Sequence, residues 1–153
     1  MAEKDNLHLK RDEIRNRVNK RIEKYKNLNF FEEFAMFLGT AQMLEFWLKK
    51  LLEEKFNYEY DTMEKWTLGK IANELEENDL RKDFIVLLKN VVKHRNYIAH
   101  ELIANLGLIQ VNFKDIIPEK HYSKDHRLLH KAILGIEELV FLFDWTNEND
   151  AWN

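Results

Sequence analysis

Apolar positions recur at helical spacing along most of this chain. From Arg81 to about Asn105, Phe84, Leu88, Val91, Ile98 and Leu102 follow one another at steps of four, three, seven and four, which is one face of a helix. From Phe30 to about Lys55, Phe30, Phe34, Phe37, Ala41, Leu44, Leu48 and Leu52 form a second stripe, widened by Phe31, Leu38, Phe46 and Trp47. That width suits a central helix covered on several sides. Leu7, Ile14, Val18, Ile22 and Tyr25 make a thinner stripe over Asn6 to Lys26, expected of a helix that lies across a bundle and is less firmly held. Thr67 can cap a short helix from Leu68 to Glu77. A last helix is expected from Lys124 to Asn147, and its run Leu139 to Phe143 is apolar all round, so it is either deeply buried or part of a subunit interface.

The connections are equally legible. Asn27-Leu28-Asn29 reads as a turn, 57–65 as a loop, and Gly107 as the left-handed cap of the Arg81 helix. Leu108, Ile109, Val111 and Phe113 suit a short extended segment or an apolar loop, and Pro118 marks irregular chain. Residues 147–153 read as a polar tail that frays, in which Trp152 has no explanation. The expected fold is all-α: a single domain over 1–153 built as a bundle of about five helices.

Composition narrows the chemistry. With no cysteine, disulfides, thiolate catalysis and zinc–thiolate sites are excluded. No stretch resembles a signal peptide or a membrane span, so a cytoplasmic protein without membrane contact is expected. The net charge of −3 is unevenly spread. Residues 1–28 carry nine Lys/Arg against five acids, residues 29–80 five against twelve, and residues 81–105 five against two. The basic amino-terminal helix, with Arg11 and Arg15, and the Arg81 helix are thus candidates to hold phosphates. A solvated helix neutralising acidic neighbours is the plainer explanation of the same charges.

Within the Arg81 helix, Arg95 fills the gap of seven in the apolar stripe. A buried cation there is costly unless it is paired or reaches water. His100, whose ordinary pKa lies near neutrality, follows five residues later. On a straight α-helix these two point about 140° apart, so cooperation needs a kink, a helix end or a second copy of the chain. Asn96 and His100, four apart, share a face. An ion pair for Arg95 and a surface contact for Asn96 and His100 would explain the same spacing without function.

The run Arg95-Asn96-Tyr97-Ile98-Ala99-His100 resembles the Arg-Asn-x-x-x-His signature of the HEPN superfamily. Upstream, Thr67-Leu68-Gly69-Lys70-Ile71 is similar to a Thr-Leu-Gly turn that often precedes that family's motif helix. The resemblance covers about residues 30–145 in helix order, and only the six-residue motif is diagnostic. It implies a compact helical bundle, commonly a homodimer. It also implies, often, a metal-independent endoribonuclease in which two chains bring their motifs into one cleft. In that setting the RNA 2′-hydroxyl is the nucleophile. His100 would move the protons, Arg95 would hold the phosphate and stabilise its developing charge, and Asn96 would orient His100 or donate to the phosphate. Lys93, His94 and Tyr97 are adjacent candidates for substrate contact. Members of the family often serve as toxins or antiviral defence effectors, paired with a nucleotidyltransferase-like antitoxin. Some carry, two positions after the motif histidine, a tyrosine that the antitoxin modifies with AMP. Leu102 stands there in this chain, which puts that route of neutralisation in doubt.

The rival expectation is a non-catalytic helical module for dimerisation or binding of a nucleotidyltransferase-like partner. Neither reading calls for a cofactor. His126 and His130 have the spacing of two imidazole ligands on one helix face, with His121 preceding them, but no carboxylate motif of the His-Glu-x-x-His kind accompanies them. No metal is therefore expected.

Overall fold

The computed structural model describes residues 9–102 and 123–153. Among them every regular element is helical: α1 (Arg11–Ile22), running into a 3-10 turn (Glu23–Tyr25), α2 (Phe30–Phe56), a 3-10 turn (Tyr60–Met63), α3 (Leu68–Glu77), α4 (Lys82–Tyr97), a π-helical turn (Ile98–Leu102) and α5 (Ser123–Glu148). The expected Gly107 cap, the apolar stretch 108–113, Pro118, His121 and the start of the first helix near Asn6 lie outside the described residues. No described helix is long and apolar enough to cross a membrane.

Local chemistry sets the helix ends. At the start of α2, Asn29 accepts from the Glu32 amide at 2.9 Å while the Glu32 carboxylate accepts from the Asn29 amide at 3.1 Å, a reciprocal capping box. Asn57, at φ 59°, closes α2 in the left-handed conformation that asparagine tolerates. Thr67 caps α3 as expected, accepting from Lys70 N at 3.3 Å. The loop between α2 and α3 is less irregular than its sequence suggests, since its 3-10 turn sinks Met63 to full burial.

Four of the helices meet in one core. Phe37, Ala41, Leu44, Leu48 and Leu52 of α2 are buried with Ile71 and Leu75 of α3, Phe84, Leu88 and Val91 of α4, and Leu129, Ile136 and Leu139 of α5. Helix α5 packs on α1, α2 and α4. Its all-round apolar run is thereby largely covered within one chain: Leu139, Val140 and Phe143 are buried, and Phe141 and Leu142 are partly covered. The run needs no second subunit to cover it.

Two expectations are corrected. The tail does not fray. Asp150, at φ 48°, reverses the chain after α5, and Trp152 turns back into the bundle at 1% exposure. Its ring meets Phe84 edge-on at 5.1 Å and Phe143 at 5.4 Å, and its carbonyl accepts from Arg81 N at 3.0 Å. Trp152 thus covers the end of the core where α4 begins.

Helix α1, with Val18 as its one buried residue, is nevertheless anchored. Glu137 of α5, fully buried, accepts from Tyr25 Oη at 2.7 Å and Arg21 Nε at 3.0 Å, and Lys24 Nζ lies 2.8 Å away. Burial, then the hydrogen bond and charge of Glu137, push the Tyr25 hydroxyl far above its ordinary value, so it remains a donor at physiological pH.

Candidate nucleic-acid interface

The motif lies where α4 changes its winding. The α-helix ends at Tyr97, and Ile98–Leu102 continue as a π turn. A π turn closes on i→i+5, so each residue turns through less than an α step. The offset between Arg95 and His100 therefore falls below the roughly 140° of a straight α-helix. Such turns are frequent at functional sites.

Arg95 is half-buried although Val91 and Ile98 on either side of it are buried. Its Nη1 donates to Asn96 Oδ1 at 3.4 Å, and no carboxylate pairs with it among the described residues. The guanidinium escapes the cost of burial by reaching solvent rather than by an ion pair. Asn96 and His100 are both exposed. Among the described residues no hydrogen bond joins His100 to Arg95 or Asn96, so the three stand close in sequence on one helix end without a closed network.

Beside them runs a groove of about 820 Å³ between α4 and α5, lined by Asn90, Lys93, His94 and Tyr97 from α4 and by Arg127, Leu128 and Lys131 from α5. The α4 residues fall at i, i+3, i+4 and i+7, one face of that helix. Three of its seven lining residues are Lys or Arg and none is acidic, in a chain whose net charge is −3. Tyr97, 42% exposed, offers an aromatic face. His94 Nδ1 is buried without a hydrogen-bond partner among the described residues. Burial first, then the positive charges of Lys131 and Lys93, lower the His94 pKa, so its ring is neutral at pH 7. A neutral imidazole beside cations can accept a proton or a hydrogen bond from a group that the cations attract.

Of the residues picked from the sequence, Lys93, His94 and Tyr97 come together in this groove, while Arg95, Asn96 and His100 do not line it. Arg11 and Arg15 are exposed and line a separate hollow between α1 and α5 with Val18, Leu134 and Glu138. The basic amino-terminal helix is thus not part of the α4 groove. The sequence alone does not single out Asn90, Arg127 or Lys131. Arg127 and Lys131 sit four apart, a spacing that places them on one face of α5, but only the packing of α5 on α4 tells which face that is.

A second cluster is only half visible in the sequence, which shows the spacing of His126 and His130 but not their carboxylate. Glu33 of α2 reaches both His126 and His130 of α5, with its Oε2 3.2 Å and 3.4 Å from their Nε2 atoms. The carboxylate absent beside the histidines in sequence is supplied from another helix. Comparison with family models, curated proteins and solved structures finds no match to this chain.

Proposed function

We propose that this protein is a metal-independent endoribonuclease of HEPN type, acting as a homodimeric toxin or defence effector on RNA. The observation that supports this best is the cationic groove along the face of α4 that carries Lys93, His94 and Tyr97, beside the Arg95–His100 motif at the π turn. Lys93, Arg127 and Lys131 would hold the phosphate backbone, and Tyr97 would stack on a base. At the scissile position His100 would serve as general base or acid, Arg95 would neutralise charge on the phosphorane, and Asn96 would orient one or the other. The 2′-hydroxyl would attack the adjacent phosphorus, the 5′-oxygen would leave, and the products would be a 2′,3′-cyclic phosphate and a 5′-hydroxyl.

The test is direct. Purified protein should cut single-stranded RNA in the presence of EDTA, leave 2′,3′-cyclic phosphate ends, and spare DNA of the same sequence, which lacks the hydroxyl. Intact RNA after prolonged incubation with a well-folded dimer would defeat the reading.

The groove makes its own prediction. For every phosphate that is no longer neutralised, the slope of log affinity against log salt should fall by about 0.7 on a single strand. The Lys93→Ala, Lys131→Ala double variant should therefore bind RNA more weakly and with a flatter salt dependence. An Arg11→Ala, Arg15→Ala variant, altered in a separate hollow, reads whether α1 takes part. Unchanged slopes in the first variant would remove the groove from the RNA path.

A second reading is favoured by one observation, the lack of any hydrogen bond between His100 and Arg95 or Asn96 among the described residues. It takes the chain as a non-catalytic helical module that binds a nucleotidyltransferase-like partner. The same cleavage assay separates the two.

A further inference from the structure

The geometry points to a divalent-metal site, apart from the α4 groove, formed by Glu33, His126 and His130. These are the one grouping of three or more His, Asp or Glu residues among the described residues whose ligand atoms lie within 4.8 Å of one another. The chain has no cysteine, so an ion of the zinc class must be held by nitrogen and oxygen, and two imidazoles with one carboxylate are a donor set that zinc accepts.

The distances fit the ion. Around a tetrahedral zinc with bonds of about 2.0–2.1 Å, neighbouring ligand atoms lie about 3.3–3.4 Å apart. Glu33 Oε2 stands 3.2 Å from His126 Nε2 and 3.4 Å from His130 Nε2, so two edges of the tetrahedron already have their required length. The ligands sit on rigid elements. His126 and His130 are one helical turn apart on α5, their rings 4.6 Å apart, and Glu33 lies in the first turn of α2, which packs against α5. Phe30 meets the His126 ring edge-on at 5.6 Å and restrains its rotation.

The cluster also has an open side. The Glu33 side chain is 8% exposed, whereas those of His126 and His130 are 45% and 60% exposed, so an ion can enter from the histidine side. Glu33 and His130 line a hollow of about 490 Å³ together with Tyr25, Lys26 and Ile133. Three protein ligands leave the fourth position to water or to an added anion, the pattern of an exchangeable rather than a sealed site. Bound there, the ion would tie the start of α5 to the start of α2.

The test uses the full chain, freed of any affinity tag and stripped with EDTA that is then removed. Isothermal titration with zinc chloride at neutral pH should show one ion per chain with micromolar or tighter affinity, and the melting temperature should rise with zinc. Cobalt(II) in its place should give the intense visible absorption of a four-coordinate ion. His130→Ala and Glu33→Gln should each weaken zinc binding by about 100-fold or more, while His94→Ala should bind as the parent does. His130 lies at the surface, so its variant is expected to fold, and circular dichroism checks this. No heat beyond dilution, one ion per two chains, or binding unchanged in folded His130→Ala protein would each overturn the site. In that event the cluster is a carboxylate shared by two imidazoles through hydrogen bonds alone.

Discussion

His100→Ala should lower the rate of RNA cleavage by roughly two to four orders of magnitude, the range for loss of a general acid or base. The side chain is exposed and makes no hydrogen bond within the described residues, so the substitution should leave melting temperature and RNA affinity near those of the parent. A fall in rate without a fall in binding is the signature of a group acting in the transition state. Arg95→Ala should do comparable damage, since the phosphorane would lose its strongest counter-charge. Arg95→Lys should recover only part, because a point charge does not reproduce the guanidinium fork. Arg95 reaches solvent instead of filling the core stripe, so neither Arg95 variant should unfold the bundle. The assays are run with and without EDTA and also on Glu33→Gln protein, so that loss of a bound ion and loss of the proton-transfer group are read separately. Cleavage at the parental rate in folded His100→Ala protein would return the chain to the binding-module reading.

Trp152→Ala should destabilise the protein by about 3–5 kcal/mol, the usual cost of emptying a large aromatic site. At this chain length that is a drop in melting temperature of about 10 °C. The indole is 1% exposed and wedged between Phe84 and Phe143. Its backbone carbonyl also satisfies the Arg81 amide at the head of α4, a donor that no bond within that helix could reach. Chemical denaturation should show a lower midpoint and a similar slope. A loss below about 1 kcal/mol would mean that the tail rests on the bundle without filling it.

Trp152 also shows where sequence reading stops. The stripes of α2 and α4 were legible because each repeats helical spacing over several turns, and the Thr67 cap of α3 because it acts on an amide three residues away. Asn29 reads only as part of a turn, and its capping of α2 came from the structure. The tail carries no repeat. Its one tryptophan is held by partners about ten and seventy residues back, which no local pattern encodes. The same holds at both clusters. The spacing of His126 and His130 was visible, but their carboxylate lies in another helix. Lys93, His94 and Tyr97 were picked as neighbours of the motif, but the face they share with Asn90, and its partners Arg127 and Lys131 across the groove, appear only through helix packing. The offset of Arg95 and His100 on a straight helix was legible from their spacing, with a kink, a helix end or a second chain as the ways round it, but nothing in the residues marked a π turn there.

The Glu137 anchor has a consequence for how the molecule opens. A helix with a single buried apolar residue would ordinarily be the first element to detach, breathing on and off the surface at little cost. Here detachment breaks in one step the contacts of Tyr25, Arg21 and Lys24 with the Glu137 carboxylate, which is fully buried while α1 is in place. The buried hydrogen bond from Tyr25 to this charged group alone contributes about 1.5–3 kcal/mol. Helix α1 is therefore bound into the same cooperative unit as the core, and amides of α1 and α5 should share one exchange regime rather than two.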